Sequence, residues 1–334
     1  MTKRIYALLM MFIMIMIIVF SSLGLASERI VTDMVGREVH LPEQVNKVVT
    51  TYKSATEFIL ALGAADKLVG LPLGGNDDTM LQNLLGGVPN LPEVGSKRKG
   101  LNLEQIVALQ PDLVVLFPYG DGPEVAERLE QQGIASIIIN PESFAEIREA
   151  NELLGEALGL EEQAQRVAAQ FDKIMALARR TEEAESRPEV YFANRQFLDT
   201  VGSGMMQTDV IELAGGVNPA AESKAGFIET SPEQLVLWNP DVILVSQFFQ
   251  EDLHEIVTSP RYQPIGAIRE ERVYRCPSAL QAWDFPGPSS YLLVIWLAEK
   301  LHPGLYQDIA IEQVVNDFYS AFYGMGFTEL GGKL

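Results

Sequence analysis

A chain of 334 residues with 47% apolar side chains holds enough material for about two ordinary domains, each able to enclose a core. Its net charge of −20 argues against a nucleic-acid partner, whose phosphates it would repel. The single cysteine, Cys276, excludes an intrachain disulfide and any multi-cysteine metal site, and reads as a small core residue at a strand end.

The chain opens on an address. Lys3 and Arg4 precede an almost unbroken apolar run from Ile5 to Leu25, and Gly24 and Ala26 flank Leu25 in a small-residue stretch ending at Ser27. That is the pattern of an export signal. The run also reaches the ~20 residues that span a bilayer. Residues 1–26 therefore read either as a cleaved signal peptide or as a retained N-terminal anchor. Both readings place the rest of the chain outside the cytoplasmic membrane, in the periplasm or at the cell surface. No cysteine follows the signal, which excludes a lipid-modified N-terminus.

Ile30 to Pro42 then reads as a small hairpin. Short apolar strands are expected at Val48 to Thr51, Leu68 to Leu71, Leu113 to Phe117 and Ser136 to Asn140, with helices from Ala55, Leu103 and Pro123 between them. Strands alternating with helices imply right-handed crossovers and a parallel sheet covered on both faces. From Phe144 to Glu185 no strand signal appears. Glu161 to Glu185 contains neither Gly nor Pro, and Val167, Phe171, Ile174 and Leu177 fall on one stripe. A helix of that length would run roughly 37 Å. Beyond Pro188 the plan repeats, with strands at Glu189 to Ala193 and Val273 to Cys276, and helices from Thr208, Ser290 and Val314.

The repetition is explicit in one segment. Asn102 to Phe117 (NLEQIVALQPDLVVLF) returns as Ser231 to Ser246 (SPEQLVLWNPDVILVS), with Glu, Gln, Val, Pro and Asp in register. Each copy reads as a capped helix start, a short apolar helix, a Pro-Asp turn and a buried strand. A weaker echo links Thr56 to Gly63 with Thr208 to Gly215. The expected fold is α/β: an N-terminal lobe over 29–160, a bridging helix over 161–186 and a C-terminal lobe over 187–334. Each lobe is a parallel-rich sheet flanked by helices. Ligands gather between such lobes, at loops after the carboxyl ends of strands.

Further short segments accompany this plan: Asp33-Met-Val-Gly-Arg37, Leu62-Gly63-Ala64-Ala65-Asp66, Gly95-Ser96 ahead of Asn102-Leu103-Glu104, Gln110-Pro111-Asp112, Trp283-Asp-Phe-Pro-Gly-Pro288, and Trp296 to Pro303. Together, in this order, they resemble the helix-bridged substrate-binding proteins of ABC importers, over essentially the whole chain after the signal. That resemblance implies a chelatase-like two-lobe fold and an exported, non-enzymatic protein. It implies capture of a metal chelate, a ferric siderophore or cobalamin, with molybdate, tungstate or haem as alternatives. It also implies delivery to an ABC permease dimer docked through one glutamate per lobe, here Glu104 and Glu233. A plainer account of the two glutamates is that an acid in the first helical turn suits a capping box and the helix dipole.

The expected ligand contacts are Tyr52, Arg98, Tyr119, Arg195 and Trp283. Arg98 and Tyr119 come from the resemblance, at positions where hydroxamate-siderophore binders place an arginine and a tyrosine. Tyr52, Arg195 and Trp283 lie in loops at strand ends, where aromatics mixed with a few cations suit a bulky anionic chelate. An oxyanion would instead need Lys97, Arg98 and Arg195 to converge. Haem would leave Tyr52 or Tyr119 as its ligand. The chain is expected to act as a monomer, without a resident cofactor or metal. A membrane-anchored sensor and a chelatase-like enzyme are the rival classes. No phosphate-binding Gly-rich loop, Gly-x-Ser-x-Gly or His-Glu-x-x-His motif occurs to favour an enzyme.

Overall fold

The computed structural model describes residues 29–97 and 99–334. The segment 1–26, expected to be a signal peptide or an N-terminal anchor, and Arg98 lie outside the described residues. Among the described residues, no helix is long and apolar enough to cross a membrane.

Strands β1 (Arg29–Thr32) and β2 (Glu38–Leu41) form the antiparallel leading hairpin. Buried Asp33 fastens its turn to the first sheet, accepting hydrogen bonds from the backbone of Val35, Arg37 and Ile138 and from the Arg37 guanidinium. The first lobe then runs β3 (Val48–Thr50), α1 (Lys53–Ala61), β4 (Leu68–Gly70), α2 (Thr79–Leu85), the two-residue strands β5 (Gly95–Ser96) and β6 (Gly100–Leu101), α3 (Leu103–Ala108), β7 (Leu113–Leu116), α4 (Gly122–Gln131) and β8 (Ala135–Ile138). Its sheet has the order β4-β3-β7-β8, all parallel. Strand β7 is buried on both faces, as an unbroken Leu-Val-Val-Leu run requires.

Helices α5 (Phe144–Leu158) and α6 (Glu161–Ala178) form an antiparallel pair. Gly159 makes the turn in the left-handed region at φ 68°. The two helices touch closely: a Cβ on Gly155 would sit 2.4 Å from that of Ala164. Helix α6 is shorter than the sequence predicts. The α-helix stops at Ala178, roughly 27 Å long, and continues as a 3₁₀ turn over Arg179–Glu183. Side chains take the helix-end carbonyls. The Thr181 hydroxyl bonds that of Ala178 at 2.9 Å, the Tyr306 hydroxyl bonds that of Leu177 at 3.2 Å, and Arg180 is drawn aside to Asp308.

The second lobe comprises β9 (Val190–Ala193), β10 (Asp199–Val201), α7 (Met206–Leu213), β11 (Phe227–Glu229), α8 (Pro232–Trp238), β12 (Val242–Val245), α9 (Leu253–Thr258), α10 (Gly266–Arg269), β13 (Val273–Arg275), α11 (Ser290–Leu301) and α12 (Ile311–Tyr323). Its main sheet is parallel in the order β13-β12-β9, and β10 pairs β11 antiparallel as a separate ribbon.

The largest core belongs to both lobes. Val48, Val115 and Ile137 from the first sheet and Val190, Phe192 and Leu244 from the second join one cluster through Phe171 and Ile174 on α6, Tyr291 and Leu292 on α11, and Phe318 on α12. The alternate residues of each sheet serve the outer layers: Val49, Val114 and Leu116 pack under α4, and Tyr191, Ile243 and Val245 under α8 and α10. Polar ties cross the same seam. The Ser54 hydroxyl donates to the Pro286 carbonyl at 2.5 Å, the Ser289 amide to the Glu57 carboxylate at 2.8 Å, and the Tyr291 hydroxyl to the Phe144 carbonyl at 2.8 Å. The C-terminal tail straddles both lobes: α12 packs on α1, α6 and α11, and Asn83 donates to the Leu330 carbonyl at 3.0 Å.

Candidate ligand cleft and docking helices

Parallel strands deliver their carboxyl ends to one edge of each sheet, and the loops there carry the candidate contacts. In the first lobe the edge is aromatic. Tyr52, at the mouth of α1, meets Phe117 edge-on at 5.8 Å, and Phe117 stacks with Tyr119 at 6.3 Å. Phe117 is buried, while Tyr119 is 39% exposed. The Tyr119 hydroxyl donates to the Glu142 carboxylate, and the Lys97 ammonium sits over the Tyr119 ring, 3.6 Å from its centroid.

Burial pushes the Tyr119 phenol up, and the hydrogen bond to Glu142 adds to it. The Tyr52 phenol is raised chiefly by burial and further by Tyr119 and Glu142. Both phenols are thus neutral donors across the physiological range. Burial lowers the Lys97 ammonium, with the Glu142 charge opposing that effect. The first-lobe mouth is therefore two neutral phenols, one partly desolvated cation and one carboxylate.

The second-lobe edge has a different make-up. Asp284 is buried and organises the loop after β12, accepting from the Ser246 hydroxyl at 2.5 Å and the Gln247 amide at 3.1 Å. Burial raises its carboxyl, and those hydrogen bonds oppose the rise. This turn parts two neighbouring phenylalanines: Phe249 is buried under the loop, whereas Phe248 is 39% exposed. Phe248 meets Phe285 edge-on at 5.7 Å, and Phe285 is itself 43% exposed. The seam bond from Ser54 to Pro286 sets Phe285 beside the mouth of α1.

The expected contacts separate accordingly. Tyr52 and Tyr119 come together on one aromatic ledge, and Arg195 is exposed after β9. Trp283 stands apart. It is fully buried, packed against Phe327 at 5.5 Å, with its indole donating to Tyr319 at 3.1 Å. A side chain so enclosed offers a ligand no surface. The exposed aromatic of that loop is Phe285, two residues on. Sequence reasoning passed over it, although an aromatic on either side of a buried Asp is the available signal. Glu142 was also missed, because nothing local in the sequence ties it to Tyr119. Cys276 is buried at the end of β13, and burial raises its thiol.

The repeat places Glu104 and Glu233 alike. The Asn102 side chain accepts from the Gln105 amide at 3.1 Å, and that of Ser231 from the Gln234 amide at 3.0 Å. The caps are therefore Asn and Ser, and both glutamates extend into solvent from the first turn. Glu233 pairs with Arg261 at 3.4 Å. Its carboxyl is held below its ordinary value, first by its own backbone amide and then by Arg261.

Two parallel-sheet lobes joined by helices, with loops gathered at the strand ends and a matched pair of helices facing outward, define a substrate-binding protein of the ABC-importer class. The chain belongs to the periplasmic binding protein family, which it matches over residues 48–280. Molybdate-binding protein MolA of Haemophilus influenzae is 28% identical over 328 residues, covering 90% of this chain and 93% of MolA. The structure of MolA bound to molybdate superposes with a TM-score of 0.78 at 26% identity, covering 90% of this chain and 99% of the other. A vitamin B12-binding protein of Vibrio parahaemolyticus is 26% identical over 211 residues, 63% of this chain and 74% of its own length. Helicobacter pylori CeuE with Ni(II) bound shares the fold, with a TM-score of 0.78 at 22% identity over 91% of this chain and 99% of CeuE.

Proposed function

We propose that this importer protein captures a metal chelate, a ferric siderophore or cobalamin, between the Tyr52–Tyr119 ledge and the Phe248–Phe285 pair. The observation that carries this reading is that exposed aromatic faces stand at the strand ends of both lobes. Flat apolar surface of this kind contributes to binding only when the ligand has apolar area to cover. A chelate with an organic shell has it; a bare oxyanion does not. Lys97 and Arg195 supply the charge, and Tyr119 and Tyr52 supply neutral donors. One ligand is bound per monomer.

A second reading, a molybdate-like oxyanion, is favoured by the likeness to MolA, which spans nearly the whole chain. Calorimetric titration with a ferric hydroxamate, a ferric catecholate, cobalamin, haem, molybdate and tungstate separates the two. Submicromolar, one-to-one binding of a chelate supports the first reading, and binding confined to the oxyanions supports the second. Heat from none of them removes the proposal.

Delivery follows by docking Glu104 and Glu233 onto cationic side chains of the permease. Their exposure at the same turn of the repeat in both lobes supports this role. Reversing both charges, Glu104→Arg with Glu233→Arg, is expected to abolish uptake by the reconstituted importer at unchanged ligand affinity. Normal uptake by that variant would remove the docking role.

A further inference from the structure

The two docking helices are alike in their glutamates and unlike one turn later. In α8, Leu237 follows Glu233 by four residues, so the two share a helix face. Leu237 is 77% exposed, more than any other large apolar side chain among those described. At the matching position of α3 stands Ala108, also exposed, one turn after Glu104. A small residue there leaves Glu104 alone as the projecting group. Strand β11, which feeds α8, adds a second exposed apolar group, Phe227, at 66%. The charges differ in the same sense. Arg261 already engages Glu233, whereas no described residue forms an ion pair with Glu104.

A solvated carboxylate shared with a neighbouring arginine gives up part of its Coulomb gain when a new cation arrives. Apolar contact makes up that deficit without any charge. Resting on the docking role proposed above, we propose that the two lobes dock by different physics: the first through Glu104 by charge alone, the second through Leu237 entering an apolar hollow beside the cation that meets Glu233. The partner surface is thus a permease face with a basic residue at both ends and an apolar depression at one. Salt screens the first contact and leaves the second largely intact.

The test uses the full protein and its cognate permease in proteoliposomes, reading half-maximal stimulation of ATPase activity against binding-protein concentration. Leu237→Gln is expected to raise that concentration on the order of tenfold, the weight of one buried leucine. Leu237→Met should restore it, and Ala108→Gln should leave it unchanged. Ligand affinity and melting temperature should be close to those of the parent throughout, since Leu237 is 77% exposed. Added salt should weaken docking of the parent and of Leu237→Gln by the same factor. If Leu237→Gln docks like the parent while the double charge reversal abolishes docking, the apolar contact is wrong and the docking role stands. If the double reversal also docks normally, both fall together.

Discussion

At Tyr119 two groups engage one side chain: the ring lies under the Lys97 ammonium, and the hydroxyl is committed to the Glu142 carboxylate. Under the proposed binding mode Glu142 holds the place that an anionic ligand would take, accepting a hydrogen bond from the neutral phenol and offsetting the ammonium. On that proposal binding displaces Glu142 from Tyr119, and its negative charge opposes an anion. Glu142→Gln keeps an acceptor for Tyr119 and removes that charge. Affinity for an anionic chelate or oxyanion is then expected to rise, on the order of fivefold for a half-exposed like-charge contact. Tyr119→Phe should weaken the same ligand by about 1 kcal/mol, the net worth of one donor. Calorimetry on the two variants checks both, and weaker binding by Glu142→Gln would show that the ligand presents a cation at this position.

Among the elements, the repeat can now be given physical causes. Gln110 and Asn239, each just before the Pro-Asp pair, adopt φ of 49° and 45°. They turn the chain out of the short helix in the left-handed region, and the proline blocks its continuation. The aspartates then brace neighbouring strands: Asp112 accepts from the amides of Asn46 and Lys47 ahead of β3, and Asp241 from Glu189 ahead of β9. These roles are local, which is why the alternation of strands and helices, the duplicated unit and its two glutamates were legible from residue order. The weaker echo was legible for the same reason, since Gly63 and Gly215 both stop a helix with positive φ. Long-range partners were not. Trp283 in the core with Phe285 at the surface, the β10–β11 ribbon and the early end of α6 each depend on groups far along the chain, such as Tyr319 and Asp308. The α5–α6 contact is another such case and gives a prediction. An interior helical Gly→Ala change usually gains up to about 1 kcal/mol. At Gly155 the added methyl meets Ala164 at 2.4 Å, so Gly155→Ala is expected to lose about 1–3 kcal/mol in urea unfolding. A gain would mean that the two helices can part without cost.

Taken as a whole, the molecule has one central core spanning two sheets, and this predicts how it comes apart. With Val48 and Val190 in the same cluster, neither lobe can open its inner face alone, and unfolding should be a single transition seen alike by amide exchange in β3, β7, β9 and β12. The seam that closes this core holds an ionisable group. Glu57 on α1 is buried against the turn that starts α11, so tightly that a Cβ on Gly287 would sit 2.6 Å from its carboxylate. Burial raises its carboxyl from the ordinary 4.5 to about 7, opposed by the hydrogen bonds from Ser289 and reinforced by the Asp78 charge. The unfolded chain releases this proton near 4.5 and the folded chain near 7, so between those values the folded state holds more protons. Stability from Glu57 is therefore complete below 4.5, falls as pH rises through that window, and stays low above it. The span corresponds to at most about 3 kcal/mol. Glu57→Gln keeps the acceptor for the Ser289 amide and cannot ionise. It should match the parent at pH 4.5, exceed it in stability at pH 8, and show a flatter dependence between. Parallel curves of melting temperature against pH for parent and variant would mean that Glu57 does not titrate in the seam. The expected divergence would tie the firmness of the joint between the lobes to the surrounding pH.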